Sequence, residues 1–162
     1  MRRLRVLLAE DDDDLRAFYG YMLAAAGYKV NAVRNGLQAL AEIQVNRPDV
    51  VVTDITMPVL SGLDLIVAIR SNDELADLPV VAITSFGEDI CKLARAAGAT
   101  DAIAKPTEIV RMREVIDAAV TRPASARQRL NGGSLSELSD KSHTTGATPG
   151  PATIPPRTHP WN

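Results

Sequence analysis

Apolar positions along the chain fall into two kinds of run that alternate. Val6-Leu7-Leu8-Ala9, Val50-Val51-Val52 and Val80-Val81-Ala82-Ile83 are short and wholly apolar. Such runs are expected of strands buried on both faces of a parallel sheet. Tyr28 to Val33 alternates apolar and polar, as an outer strand would, and Ala102-Ile103-Ala104 reads as a short last strand. Between these lie apolar residues at helical spacing: Leu15, Phe18, Tyr19, Met22, Leu23 and Ala26, then Leu37 to Val45, stopped before Pro48. A third helix begins near Gly62 with Leu63, Ile66, Val67 and Arg70, and a fourth carries Ile90, Leu93, Ala94 and Ala97. The fifth has Ile109, Met112, Ile116 and Ala119 on one face.

Punctuation supports these bounds. Asp13 or Asp14 is placed to cap the first helix and Thr107 the fifth, while Gly27 and Gly98 suit the position just past a helix end. Asn35-Gly36 reads as a turn. Five βα units result. Right-handed crossovers then give an α/β fold, a five-stranded parallel sheet doubly wound with five helices. For five such units the common strand order is 2-1-3-4-5.

Composition changes the picture at the end of the chain. Of 162 residues 46% are hydrophobic but only 4% aromatic, so the core is aliphatic. Beyond about Val120 prolines, Ser, Thr and Gly dominate, with six of the ten prolines in residues 121–162. That segment lacks the apolar surface to offset its ordering entropy, so the chain reads as a domain over 1–120 and a disordered tail over 121–162. Leu135 to Asp140 has the pattern of a transient helical turn. Trp161 is a candidate docking residue, but a dangling aromatic is the simpler reading.

A net charge of −2 gives no electrostatic case for nucleic acid or membrane as a general partner. The single cysteine, Cys91, excludes an intramolecular disulfide and has no role assigned. The start Met-Arg-Arg-Leu-Arg looks like that of a signal peptide, but the apolar run behind it is short and ends in Glu10 and four Asp residues. No segment approaches membrane-spanning length. A cytoplasmic protein is expected.

Candidate chemistry lies at the strand ends. The third strand finishes in Asp54, an ionisable group at the mouth of a core, which costs free energy without partners. Ligands in open parallel sheets bind beyond the carboxyl ends, where strand order reverses. Order 2-1-3-4-5 puts Glu10-Asp11, ending strand one, beside Asp54, with Thr84 ending strand four and Lys105 ending strand five. Singly, each has a plainer reading as a helix cap, a solvated acid or a strand exit. Those readings do not explain why all five share one edge.

Both histidines, His143 and His159, fall in the tail, so the domain offers no imidazole. Three clustered carboxylates repel one another unless a cation neutralises them. Oxygen donors favour a hard ion, Mg2+ in particular. A carboxylate can accept a phosphoryl group as an acyl phosphate, and a lysine and a hydroxyl can bind phosphoryl oxygens. Asp54 is thus the candidate acceptor.

Glu10-Asp11, Asp54 followed by Met57-Pro58 and Gly62, Thr84, and Lys105-Pro106 together resemble the receiver domain of two-component response regulators, from about Leu4 to Val120. The resemblance implies a flavodoxin-like receiver fold. It also implies that Asp54 is phosphorylated by a histidine kinase or phosphotransfer protein. Glu10, Asp11, Asp54 and the backbone carbonyl of Thr56 would hold Mg2+, Lys105 would contact the phosphoryl group, and Thr84 would move toward it on activation. A cis Lys105–Pro106 bond is implied as well.

This sequence departs from the family at Ala102, where an aromatic is usual, and at Thr107, where Phe commonly follows Lys-Pro. No DNA-binding or enzymatic output domain is read after the receiver, so output is expected through an unidentified downstream protein. The face around Lys92, Arg95, Arg111 and Arg113 is the expected contact, and Phe86 is expected to shield the site from water. A non-switching scaffold or phosphate sink of the same fold is the alternative. A Mg2+-dependent phosphohydrolase is disfavoured, because Thr56 stands where that chemistry needs a second carboxylate.

Overall fold

Five short strands pair in parallel in the order β2-β1-β3-β4-β5, as expected. They are β1 (Arg5–Ala9), β2 (Lys29–Val33), β3 (Val50–Asp54), β4 (Val80–Thr84) and β5 (Asp101–Ala104). The helices are α1 (Asp13–Ala25), α2 (Gly36–Val45), α3 (Gly62–Arg70), α4 (Gly87–Ala96) and α5 (Ile109–Thr121). This computed structural model describes residues 2–122. The expected tail, including Leu135–Asp140 and Trp161, therefore lies outside the described residues.

Strand parity divides the core. Val6, Leu8, Val50, Val52, Val81, Ile83 and Ile103 pack with Tyr19 and Leu23 of α1 and with Met112, Val115 and Ile116 of α5. Residues of the opposite parity, among them Leu7, Val51, Val80, Ala82 and Ala102, pack with α2, α3 and α4. Alternate side chains of a strand face opposite ways, so a strand buried on both sides must be apolar throughout. β3 and β4 are buried at every position, whereas the edge strand β2 is largely exposed.

Several local readings are corrected. Asp12, not Asp13 or Asp14, caps α1, accepting from the amides of Asp14 and Leu15 at 3.0 and 2.9 Å. Asn35 is the cap of α2 rather than part of a free turn, accepting from the Gln38 amide. Thr107 does not cap α5, which begins two residues later at Ile109 behind Glu108. In α3 the buried stripe is Leu65, Ile66 and Ile69, and Val67 faces out. Cys91 is a buried core residue of α4.

Gly27 and Gly98 follow the ends of α1 and α4 with φ of 100° and 109°. Glycine alone takes that conformation without a Cβ penalty. No described helix is long and apolar enough to cross a membrane.

Candidate functional site

Asp54 closes β3, level with Ile83 of β4, and shares the parity of Val50 and Val52. Its carboxylate is therefore set at the carboxyl edge on the α1–α5 side, and the residue is only 8% exposed. Its Oδ1 accepts from the Ile55 amide at 2.7 Å, and the Ile55 amide also donates to the carbonyl of Ile83 at 3.1 Å. Behind it, Gly62 lets α3 approach. A Cβ there would lie 2.0 Å from the Asp54 carbonyl oxygen, so only glycine fits. The Gly62 amide donates to the carbonyl of Ile55 at 2.8 Å.

The loop joining Asp54 to α3 is fixed from a second side. The Gly36 amide donates to the Leu60 carbonyl at 3.1 Å, tying the loop to the start of α2. Val59, exposed on this loop, takes a φ of 70°. A β-branched side chain in the left-handed region costs on the order of 1–2 kcal/mol.

Glu10 and Asp11 follow β1 directly. Glu10 is 1% exposed and Asp11 is exposed. One carboxylate oxygen from each of Glu10, Asp11 and Asp54 lies within 4.8 Å of the other two. Lys105 meets this group from the end of β5. Its Nζ donates to Glu10 Oε2 at 2.7 Å and lies 3.3 Å from Asp54 Oδ2. The Lys105 amide continues the sheet ladder, donating to the Thr84 carbonyl at 2.7 Å, and the Lys105–Pro106 bond is cis, as expected.

Burial pushes the Glu10 carboxyl up. Lys105 opposes this and the charge of Asp54 adds to it, and the net shift is upward. For Lys105, burial is the largest influence and disfavours the ammonium. The Glu10 hydrogen bond and the attraction of both carboxylates outweigh it, so the amine is held above its usual value. Three carboxylates against one ammonium still leave two negative charges in excess. The donor set is all oxygen with no imidazole or thiolate, which fits a hard divalent cation.

Thr84 is fully buried at the end of β4, but its parity is that of Val80 and Ala82. Its hydroxyl accepts from the Phe86 amide at 3.1 Å, so here it serves its own turn. Thr56 is exposed on the loop after Asp54. Phe86, expected to shield the site, is 66% exposed in the loop after β4.

Two contributors were not read from the sequence. Arg16, one helical turn into α1, donates to the carbonyls of Glu10 and Asp11 at 3.0 and 3.3 Å and pairs with Asp13. It therefore holds the acidic loop by its backbone. Tyr19 places its ring 5.9 Å from Lys105 Nζ, within cation–π range. An arginine and a tyrosine in an amphipathic helix carry no signal of such roles.

The expected basic face is only partly assembled. Arg95 and Arg111 border a groove of about 370 Å³ that also reaches Ala102. Arg95 is not free there, since it donates to Glu88 at 2.7 Å, to Asp101 at 3.2 Å and to the Ala102 carbonyl at 2.6 Å. Lys92 pairs with Asp89, and Arg113 belongs elsewhere, beside the Tyr28 hydroxyl.

Comparison with known proteins agrees with this arrangement. A family model described as the response regulator receiver domain matches residues 6–117. The polar-differentiation response regulator DivK of Brucella anthropi is 33% identical over 114 residues, covering 68% of this chain and 91% of that protein. The transcriptional regulatory protein PrrA of Mycobacterium tuberculosis is 34% identical over 122 residues, or 75% of this chain and 52% of PrrA. The chain thus spans about half the length of PrrA.

Among solved structures, a putative response regulator from Chloroflexus aurantiacus superposes with a TM-score of 0.71 at 30% identity, covering 75% of this chain and all of that one. The receiver domain of the sensor histidine kinase PA1611 from Pseudomonas aeruginosa, which has a magnesium ion coordinated in its active site cleft, gives 0.69 at 25% identity. It is covered in full and matches 75% of this chain. With the sheet order, the acidic edge and the family match in agreement, the chain belongs to the response regulator receiver domain family.

Proposed function

We propose that the protein is a phosphorylation-switched signalling protein whose acceptor is Asp54. The observation that carries this reading is the buried Asp54 carboxylate, 3.3 Å from Lys105 Nζ and clustered with Glu10 and Asp11. Asp54 attacks the phosphorus of a phosphohistidine on a kinase or phosphotransfer protein. The new bond joins a carboxylate oxygen to phosphorus, and the bond that breaks releases the donor imidazole with its electron pair. Glu10, Asp11, Asp54 and the Thr56 backbone carbonyl would hold Mg2+, which when bound neutralises charge on the phosphoryl oxygens. Lys105 binds a phosphoryl oxygen. Thr84 would donate its hydroxyl to a phosphoryl oxygen after turning from its present orientation toward the Phe86 amide.

Turnover is not part of this reading, because Thr56 supplies no carboxylic acid for a second step. Output is through a downstream protein at the Arg95–Arg111 groove, with the protein acting in the cytoplasm. The test is binding of beryllium fluoride, a phosphoryl mimic, followed by fluorine NMR with and without Mg2+. Mg2+-dependent bound signals that vanish in Asp54→Ala support the switch. Silence in the wild type, together with no transfer from a panel of phosphorylated histidine donors, favours the scaffold alternative.

A further inference from the structure

Just past the phosphoryl site, between α1 and the first turn of α5, lies an open groove of about 600 Å³. Phe18, Tyr19 and Met22 form one wall, and Pro106, Ile109 and Val110 the other. Phe18 is 54% and Val110 61% exposed, so much of this apolar lining faces water. Glu108 is the charged residue among those lining it. Apart from Tyr19, whose ring faces the Lys105 ammonium, none of these side chains has a part in the acceptor chemistry.

We propose that residues 154–161 of this chain, Ile-Pro-Pro-Arg-Thr-His-Pro-Trp, dock into this groove, with Trp161 against Phe18 and Val110 and Arg157 toward Glu108. The proposal goes beyond the acceptor reading and does not depend on it. It replaces the simpler expectation that Trp161 hangs free.

Chemistry, reach and charge select this occupant. Aromatic-lined apolar grooves receive proline-rich segments, which enter in a polyproline conformation and lose little entropy on binding. Residues 154–161 hold three prolines flanked by an isoleucine and a tryptophan.

The second is reach. α5 has 13 residues, so its far end lies about 20 Å from the groove at 1.5 Å per residue. The 32 residues numbered 122–153 are enough to span this, since a flexible linker of about that length has an end-to-end distance on the order of 30 Å. A connection matched to its span gives a local concentration in the millimolar range, so weak contacts suffice.

The third is charge. Four of the 18 basic residues and two of the 20 acidic ones lie beyond residue 122. Residues 123–162 are therefore net +2, with Arg157 the one charged residue of the segment 154–161 (His taken as neutral), and residues 1–122 are net −4.

Trp161 is the sole tryptophan, which makes the test direct. In the full 162-residue chain its emission should be blue-shifted and protected from acrylamide. Phe18→Ala and Val110→Asp each alter an exposed side chain, and far-UV circular dichroism checks that both variants stay folded. Both should return Trp161 to the emission and quenching of a free tryptophyl peptide, and Arg157→Glu should do so in part. Equal quenching in the wild type and both variants would overturn the proposal. So would protection that rises with protein concentration alongside a dimer in sedimentation velocity, since a second copy would then be the occupant.

Discussion

Lys105 lies nearer to Glu10, at 2.7 Å, than to Asp54, at 3.3 Å. Its ammonium is thus anchored by a carboxylate other than the proposed nucleophile. The anchor is buried at both ends. Removing one member of a buried pair strands the other, at a cost of about 3–5 kcal/mol. Lys105→Met should lower stability by about 3 kcal/mol in urea denaturation at pH 7, while Glu10→Gln with Lys105→Met recovers part of that loss. Equal stability of the Lys105→Met variant and the wild type would show that the pair is not coupled.

Gly62 makes a sharper prediction, because the Asp54 backbone sits where a Cβ would go. Gly62→Ala has to push α3 away from β3 or displace Asp54. Overpacking of this kind costs about 1–3 kcal/mol, and here phosphoryl acceptance should fall along with stability. The measurement is a thermal melt beside the rate of phosphoryl uptake, in Gly62→Ala and in Gly20→Ala. Gly20, inside α1, has open space at its Cβ, so its variant should keep wild-type phosphoryl uptake and gain up to about 1 kcal/mol of stability from helix propensity.

Tyr28 links the sheet edge to α5 through a 2.7 Å hydrogen bond from its hydroxyl to Asp117. Burial, then the Asp117 hydrogen bond and charge, push the phenol up to about 12, against an opposing pull from Arg113. An unfolded tyrosine ionises near 10. Between about 10 and 12 the unfolded chain therefore releases a proton that the folded chain keeps, and stability falls as pH rises. Tyr28→Phe should lack this component of the alkaline decline. Urea midpoints at pH 9 and pH 11.5 in both proteins check it, and parallel declines would contradict it.

On the proposed acceptor reading, Phe86 is expected to lengthen the lifetime of the acyl phosphate. Its amide is tied to Thr84 at the carboxyl end of β4, and its ring is exposed. If Thr84 turns toward the phosphoryl group, this tie is released and the ring becomes free to cover the acyl phosphate. Decay of the phosphorylated protein should be slower in the wild type than in Phe86→Glu, where a carboxylate can orient water. Identical decay curves would remove Phe86 from the account.

The sheet was legible because doubly buried strands leave few choices of residue. Val50 to Val52 and Val80 to Ile83 must be apolar on both faces, and a carboxylate ending such a run stands out. The clustering of Glu10, Asp11, Asp54 and Lys105 was legible from polar residues that interrupt the chain where strands end, whereas Thr84 has the opposite parity and is bonded within its own turn. Cap assignments were harder. Any of several consecutive Asp residues satisfies the composition of a cap, and backbone geometry alone selects Asp12. The phase of α3 follows from its cap at Ser61, which turns Leu65 and Ile69 inward in place of Val67. The α1–α5 groove depends on how two helices far apart in the sequence sit on one sheet, and no local pattern encodes that. Arg111 and Arg113 are two apart on α5 and so face different ways, which leaves only Arg111 on the groove with Arg95.

The most direct test is intact mass of the wild type and Asp54→Ala after incubation with acetyl phosphate, with and without Mg2+. One added phosphoryl group on the wild type, dependent on Mg2+ and missing from Asp54→Ala, is the expected result. An adduct of the same stoichiometry on Asp54→Ala would contradict Asp54 as the acceptor.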